Sequence, residues 1–181
     1  MSTMNLYRWS GYAAILSGVL GIAAGLMEFS SMEETLILET TYIIQSALML
    51  FGILGVFAVQ HEEVGVIGFL GFILAVIGTA LLVGGSWEIA GVPSYVWGGT
   101  LSGFGLLLLA IGTLSANVFP RWIPVVWILA VVVGLPSMMI PSLASITLLL
   151  ASTLFAVGFI GAGVELIKGK FGITKESEAM V

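Results

Sequence analysis

The sequence contains no cysteine and no aspartate, and it has a single histidine, His61. Without cysteine the chain forms neither a disulfide nor a thiolate metal site, and it offers no cysteine nucleophile. Without aspartate it cannot perform intramembrane aspartyl chemistry, and one histidine cannot supply a bis-histidine haem. The serines and threonines of the apolar runs have no histidine or aspartate beside them to act as a base. These absences predict that the chain is not an enzyme.

Charge is also scarce. Only 8% of the residues are charged and 59% are hydrophobic, with a mean hydropathy of +1.18, whereas a soluble domain is about 25% charged. So few charges cannot cover a surface that faces water, and the sequence therefore predicts the lipid bilayer as its main partner. The net charge of -5 and five scattered basic residues exclude nucleic acid, which needs clustered lysine and arginine.

What the chain has instead is six long apolar runs, which predict an all-α polytopic transmembrane bundle of six spans. The predicted spans are about 7–28, 37–60, 64–85, 95–117, 121–138 and 142–167. Together they form one predicted transmembrane domain over residues 1–170, followed by a polar cytoplasmic tail over 171–181. A β-barrel is excluded, because its strands would alternate apolar and polar residues and these runs are apolar throughout.

The first and fifth runs need separate comment. Arg8 lies at the start of the first run and no small-x-small cleavage site follows Ala24, so we expect an uncleaved span rather than a signal peptide. In the fifth run, Trp122 to Leu135 would rise only about 21 Å. Either a kinked helix continues through Pro136, since membrane helices tolerate proline, or Pro136 to Pro141 forms an apolar loop at the membrane surface.

Basic residues set the predicted orientation. With six spans, Arg8, the turn at His61, the turn at Arg121 and the tail from Lys168 to Lys175 fall on one side, and the opposite loops contain no lysine or arginine. Because basic residues mark the cytoplasmic side, both termini are predicted to be inside. No charged residue falls at a predicted mid-span position, which argues against a proton pump, a charged ion relay or a voltage sensor.

Polar and aromatic residues gather on the predicted outer side. We predict an outward-facing pocket for a small cation or a polar amphipathic ligand, lined by Glu28, Glu39, Tyr42, Gln45, Trp87, Glu88 and Tyr95. Gln45 is the one amide away from the ends of the predicted spans. The alternative is an aromatic belt with solvated glutamates, as polytopic proteins commonly show.

Two further patterns have both a functional and a structural interpretation. His61, Glu62 and Glu63 could ligate one divalent cation, or they could form a solvated turn in which Arg121 pairs with a glutamate. The pairs Gly21/Gly25 and Gly99/Gly103 have the GxxxG spacing that lets helices approach closely, either within this bundle or in a dimer. We expect the solvated turn and packing within the bundle.

Two stretches, Gly71 to Leu82 and the turn Val118 to Trp122, resemble segments of an uncharacterised family of small multi-span prokaryotic integral membrane proteins. The resemblance extends loosely over all the spans and carries no known active residues. It implies a multi-pass protein of the prokaryotic plasma (inner) membrane. The chain is also similar in size and span number to the substrate-binding components of energy-coupling-factor vitamin transporters, but its first span carries Gly18, Gly21 and Gly25 where those have spaced alanines.

Two functions remain open from the sequence. The first is a non-catalytic subunit or accessory protein that packs against other membrane proteins, lipid or pigment. The second is a small solute or cation transporter, or a binding protein, that uses the outward-facing pocket. The sequence indicates no particular cofactor, and it assigns no metal site.

Overall fold

The computed structural model describes residues 3–30, 36–83, 87–135 and 140–169. Within these ranges the chain folds into six α-helices and one short β-ribbon. The helices are α1 Thr3–Phe29, α2 Leu36–Ala58, α3 Gly65–Val83, α4 Ser94–Ala116, α5 Trp122–Gly134 and α6 Ala144–Lys168, and the ribbon pairs β1 Glu88–Ile89 with β2 Val92–Pro93. The predicted tail 171–181 and the predicted kink at Pro136 lie outside the described residues.

Five of the helices, all except α5, are long and apolar enough to cross a membrane. This confirms the predicted all-α bundle and its apolar runs. α5 has 13 residues, about 20 Å at 1.5 Å per residue, which is shorter than the roughly 30 Å hydrocarbon core. A short 3₁₀ turn, Pro141–Leu143, leads into α6.

The outer surface of the bundle is strongly apolar. Leu36 is 79% exposed, Val66 74% and Trp9 64%, and such side chains occur on most faces of the long helices. A soluble protein rarely leaves apolar patches of this extent in water. The five spanning-length helices and this exterior indicate a multi-pass membrane protein in contact with a lipid bilayer.

Neighbouring helices run antiparallel, and they follow one another in chain order around the bundle, with α6 packing back against α1. Contacts near the helix ends show which ends of neighbouring helices lie together. Gly11 of α1 faces Gly163 of α6, and Gln60, just after α2, bonds to Thr113 of α4. Four basic or histidine side chains therefore share one end, here called the basic end: Arg8, His61, Arg121 and Lys168. The connections at the opposite end, 30–35, 84–93 and 135–143, contain no lysine or arginine.

Glycines bring two helix pairs into backbone contact. In the α3–α4 pair, a methyl group added at Gly71 or Gly78 would meet the backbone of Leu109 or Ser102. In the α1–α6 pair, one added at Gly11 would lie 2.7 Å from the carbonyl oxygen of Gly163. Only glycine permits this approach, which gives apolar helices the dispersion contacts that hold them together in lipid.

The predicted GxxxG pairs divide between two environments. Gly21 and Gly25 face Gln45 and Ser152 inside the bundle, as expected for packing within one chain. By contrast, no described atom lies within 4 Å of a methyl group added at Gly99 or Gly103. These two glycines lie beside the open space described below.

The well-packed core lies toward the basic end. Its fully buried side chains come from all six helices and include Ile53, Leu109, Ile123 and Leu166. Two helices are also capped at this end. Asn117 after α4 and Gly169 after α6 adopt left-handed backbone conformations, and their N–H groups donate to carbonyl oxygens of the preceding turn. This end of the bundle is therefore tightly packed, and the open space lies farther along the helices.

Candidate intramembrane binding site

A partly open cavity of about 180 Å³ lies inside the bundle. Its lining comes from five helices: α1, α2, α3, α4 and α6. The cavity separates α4 from the α1–α6 pair, so it lies between the two glycine-packed pairs. Each pair stays closely packed at this level, and the space lies between the two pairs.

Four polar side chains reach the cavity from four different helices: Ser17, Gln45, Ser102 and Ser152. The last three lie about 12–14 Å from the first residues of α2, α4 and α6 at 1.5 Å per residue. This depth is close to the middle of a hydrocarbon core about 30 Å thick. The polar groups therefore meet where water cannot satisfy them.

Gln45 is the central polar group of the lining. Its Oε1 is buried and has no hydrogen-bond partner, whereas buried polar atoms are normally paired. The amide fits beside α1 because Gly21 lies opposite, and a methyl group added there would lie 2.9 Å from Gln45 Nε2. The glycine thus leaves room for an amide whose oxygen is shielded and has no partner in the described structure.

Two hydroxyl groups of the lining, those of Ser152 and Ser102, form hydrogen bonds within the protein. Ser152 Oγ donates to the carbonyl oxygen of Leu149 at 3.0 Å, a common bond for serine within a helix. Ser102 Oγ and Thr79 Oγ1 share a hydrogen bond of 3.2 Å. Ser152 therefore presents lone pairs to the cavity, and Gln45 Oε1 adds a second acceptor without a partner.

Apolar side chains complete the walls, among them Met49, Leu106, Phe155 and Phe159. Behind Phe159 the indole ring of Trp127 packs at 5.3 Å between ring centroids. None of the described residues that line the cavity is charged. The lining therefore suits a neutral, amphipathic molecule.

The cavity opens along α4. Gly99 belongs to the lining yet is exposed, and Gly103 is half-buried. Because neither glycine carries a side chain, they leave a gap where other residues of α4 would project. The mouth, defined here as Gly99 and Gly103, therefore joins the cavity to the surroundings of the bundle.

The seven predicted site residues fall into three places. Gln45 lines the cavity, and the other six lie outside it. Tyr42 donates from its hydroxyl group to Glu28 Oε2 at 2.6 Å, a charge-assisted bond that ties α2 to α1 near the end opposite the basic end. The remaining four are exposed along α2, the β-ribbon and the start of α4: Glu39, Trp87, Glu88 and Tyr95.

The sequence did not identify Ser17, Ser102 and Ser152 as site residues, because a serine in an apolar run more often bonds to its own helix. Their common depth was the available signal. Counted from the ends of the predicted spans, Gln45, Ser102 and Ser152 all fall near the same level. Which helices bring them together depends on packing, which composition alone does not reveal.

His61 and Arg121, at the basic end, make separate local contacts. His61 Nδ1 lies 3.0 Å from the carbonyl oxygen of Ala58 and its ring is exposed, with Glu62 Oε1 4.0 Å from Nε2. No group of three or more histidine or carboxylate side chains suited to a metal occurs among the described residues. Arg121 Nε lies 3.4 Å from Asn117 Oδ1 and donates to it, so the described geometry links Arg121 to its own turn.

The fold and the cavity define a class, a multi-pass helical membrane protein with a neutral, polar-lined intramembrane cavity. Comparison of the chain with protein-family models, curated proteins and solved structures finds no match.

Proposed function

We propose that the chain is a non-catalytic integral membrane protein that binds a small, uncharged, amphipathic molecule in the cavity. The observation that carries the proposal is the buried Gln45 Oε1, which lacks a partner although Gln45 lines a cavity. A rotation of the amide would turn this oxygen toward the cavity. An unpaired buried acceptor costs about 1–3 kcal/mol. A ligand that donates to this oxygen would recover part of that free energy.

The proposed topology has six crossings with both termini in the cytoplasm of a prokaryotic cell. In its support, the helices alternate in direction and the described basic side chains share one end, the side that the distribution of lysine and arginine identifies as cytoplasmic. α5 is counted as one of the six crossings. The cavity would then lie in the outer half of the bilayer.

An uncharged ligand is favoured because an ion would lack a counter-charge. Moving a charge to the bilayer centre costs several kcal/mol unless it is paired or hydrated, and the described lining offers hydroxyl and amide groups only. A binding role is favoured over a catalytic one for a similar reason. The described lining holds no histidine or carboxylate that could act as a general base toward its serines.

The accessory-subunit function predicted from the sequence stays a prediction. An apolar exterior fits lipid and a neighbouring protein equally well, whereas the cavity specifically favours the binding function. The two functions are compatible, since a subunit of a larger assembly can also hold a small molecule.

A thermal-shift screen of the purified protein tests the binding function. Uncharged amphipathic compounds are expected to raise Tm in a concentration-dependent way, because binding to the folded state stabilises it, and charged analogues are expected to have little effect. Gly103→Leu fills the cavity from a position with free space around it. This variant should keep a Tm close to the wild-type value and lose the ligand-dependent rise.

The matched control is Thr100→Leu, which changes an exposed residue of the same helix outside the lining. It should respond to compounds as the wild type does. If Gly103→Leu responds just as strongly, the compounds bind elsewhere and the cavity is not the site.

A further inference from the structure

We infer that the ligand is a lipophilic alcohol dissolved in the bilayer, which enters sideways past Gly99 and Gly103 and donates its hydroxyl proton to Gln45 Oε1. This inference rests on the proposed binding function and specifies both the chemical class of the ligand and its route.

The need for a donor follows from the lining. Gln45 Oε1 is an acceptor without a partner, and Ser152 has given its proton to Leu149. A ligand that only accepts hydrogen bonds, such as an ether or ester, would leave the Gln45 oxygen unpaired. An alcohol supplies the missing proton and carries no charge, which the neutral lining requires.

The route through the lipid follows from the position of the mouth. Gly99 and Gly103 lie about 8 and 14 Å from the first residue of α4 at 1.5 Å per residue, well inside the hydrocarbon layer. Neighbouring side chains of α4 are apolar and exposed, with Val96 at 44% and Phe104 at 58%. The mouth therefore opens toward acyl chains, so a molecule already dissolved among them can enter without crossing water.

The shape of the site also suits an alcohol with an alkyl chain. Met49 and Phe155 offer apolar walls beside the polar groups. The hydroxyl group would reach Gln45 while the chain lies along these walls and out through the mouth. A cavity of about 180 Å³ therefore needs to hold only the polar head and the first part of the chain.

Photolabelling in lipid nanodiscs tests both parts. The probe is 1-decanol with a mid-chain diazirine, added through the lipid phase, and labelled peptides are mapped by mass spectrometry. We expect saturable labelling of cavity residues such as Met49 and Phe155. Unlabelled 1-decanol should compete, whereas decyl methyl ether and decane, which have no donor, should compete at least fivefold more weakly.

Two variants separate the donor from the route. Gln45→Met removes the acceptor at similar side-chain length and should weaken the apparent affinity about five- to tenfold, as expected for the loss of one hydrogen bond. Gly99→Leu narrows the mouth and should slow cavity labelling by at least fivefold, and Thr100→Leu beside it should label at the wild-type rate. Monodisperse elution and unchanged helical circular dichroism establish that each variant is folded.

The outcomes distinguish failure of this inference from failure of the proposed binding function. If all three competitors act equally, the ligand need not donate and the alcohol assignment is wrong, although cavity binding stands. If Gly99→Leu labels at the wild-type rate, the lateral route is wrong. If no probe labels the cavity saturably and no uncharged amphipathic compound raises Tm, the binding function itself fails.

Discussion

Gln60 and Thr113 form a buried polar contact at the basic end of the bundle. Gln60 is 0% exposed, and its Nε2 donates to Thr113 Oγ1 at 2.8 Å. Thr113 Oγ1 in turn donates to the carbonyl oxygen of Leu109 at 2.9 Å. The contact joins the α2–α3 turn to α4, so a single hydroxyl group links local helix geometry to the packing of distant segments.

Thr113→Val is therefore expected to destabilise the protein by about 1–3 kcal/mol, because it leaves a buried amide without its acceptor. Denaturant titration of the protein in mild detergent, followed by circular dichroism, measures the free energy of unfolding. Gln60→Met combined with Thr113→Val should lose less than the sum of the two single changes, since neither residue is then unpaired. Strict additivity would contradict the described contact.

At the scale of single residues, the sequence showed which side chains are polar but did not predict which of them are buried or what they contact. Gln60 was placed at the end of a predicted span, beside the solvated turn at His61, and its burial against Thr113 was not predicted. Tyr42 and Gln45 were placed in one pocket, yet Tyr42 bonds to Glu28 and Gln45 turns toward the cavity. Local sequence shows which residues are polar, but their neighbours in other helices decide whether a polar group meets water or protein.

The helices owe their arrangement to glycine as much as to apolar side chains. Gly78 of α3 lies against the backbone of Ser102 and within reach of the Gly98 carbonyl oxygen, 2.8 Å from an added methyl group. Gly99, one residue from Gly98, has no described atom within 4 Å of the same addition. Glycine thus allows close helix contact at Gly78 and leaves an opening at Gly99.

Replacing each glycine with alanine separates these uses. Gly78→Ala should cost about 1–3 kcal/mol of stability through overpacking. Gly99→Ala should be neutral or stabilising by up to about 1 kcal/mol, since alanine is the better helix former. Thermal or denaturant unfolding of both variants in one detergent gives the comparison, and a Gly99→Ala loss as large as that of Gly78→Ala would contradict this packing.

Helix existence could be predicted from apolar runs, and the structure confirms helices within all six. The pairing of helices could not, because a helix in lipid is apolar on both its buried and exposed faces, so no amphipathic period marks the inside. The β-ribbon lies between the third and fourth predicted spans and was not predicted. Its turn places Ala90 and Gly91 at positive φ, and two-residue strands leave too short a pattern to predict.

At the scale of the whole molecule, two close-packed helix pairs enclose a space between them, and the polar groups of that space lie midway along the helices. The bundle is tight at the basic end and open farther along. Because the cavity lies away from the basic end, the orientation of the chain in the membrane decides which leaflet the site lies nearest.

The absence of cysteine makes this orientation directly measurable. Single substitutions Ser30→Cys and Ile140→Cys should react with a membrane-impermeant maleimide on intact cells, because both lie at the end away from the basic residues. His61→Cys should react only after permeabilisation. If Ile140→Cys instead behaves like His61→Cys, the chain between α4 and α6 does not cross, and the proposed six crossings are wrong.

The indole of Trp127 gives the protein its own optical reporter. Trp127 is 1% exposed, whereas the other four tryptophans, Trp9, Trp87, Trp97 and Trp122, are 41–64% exposed. Brominated acyl chains would quench emission from side chains they touch and spare the shielded ring behind Phe159. The residual fluorescence would then include that of Trp127, which packs directly against a wall residue of the cavity, so an occupant could be followed in real time without a dye.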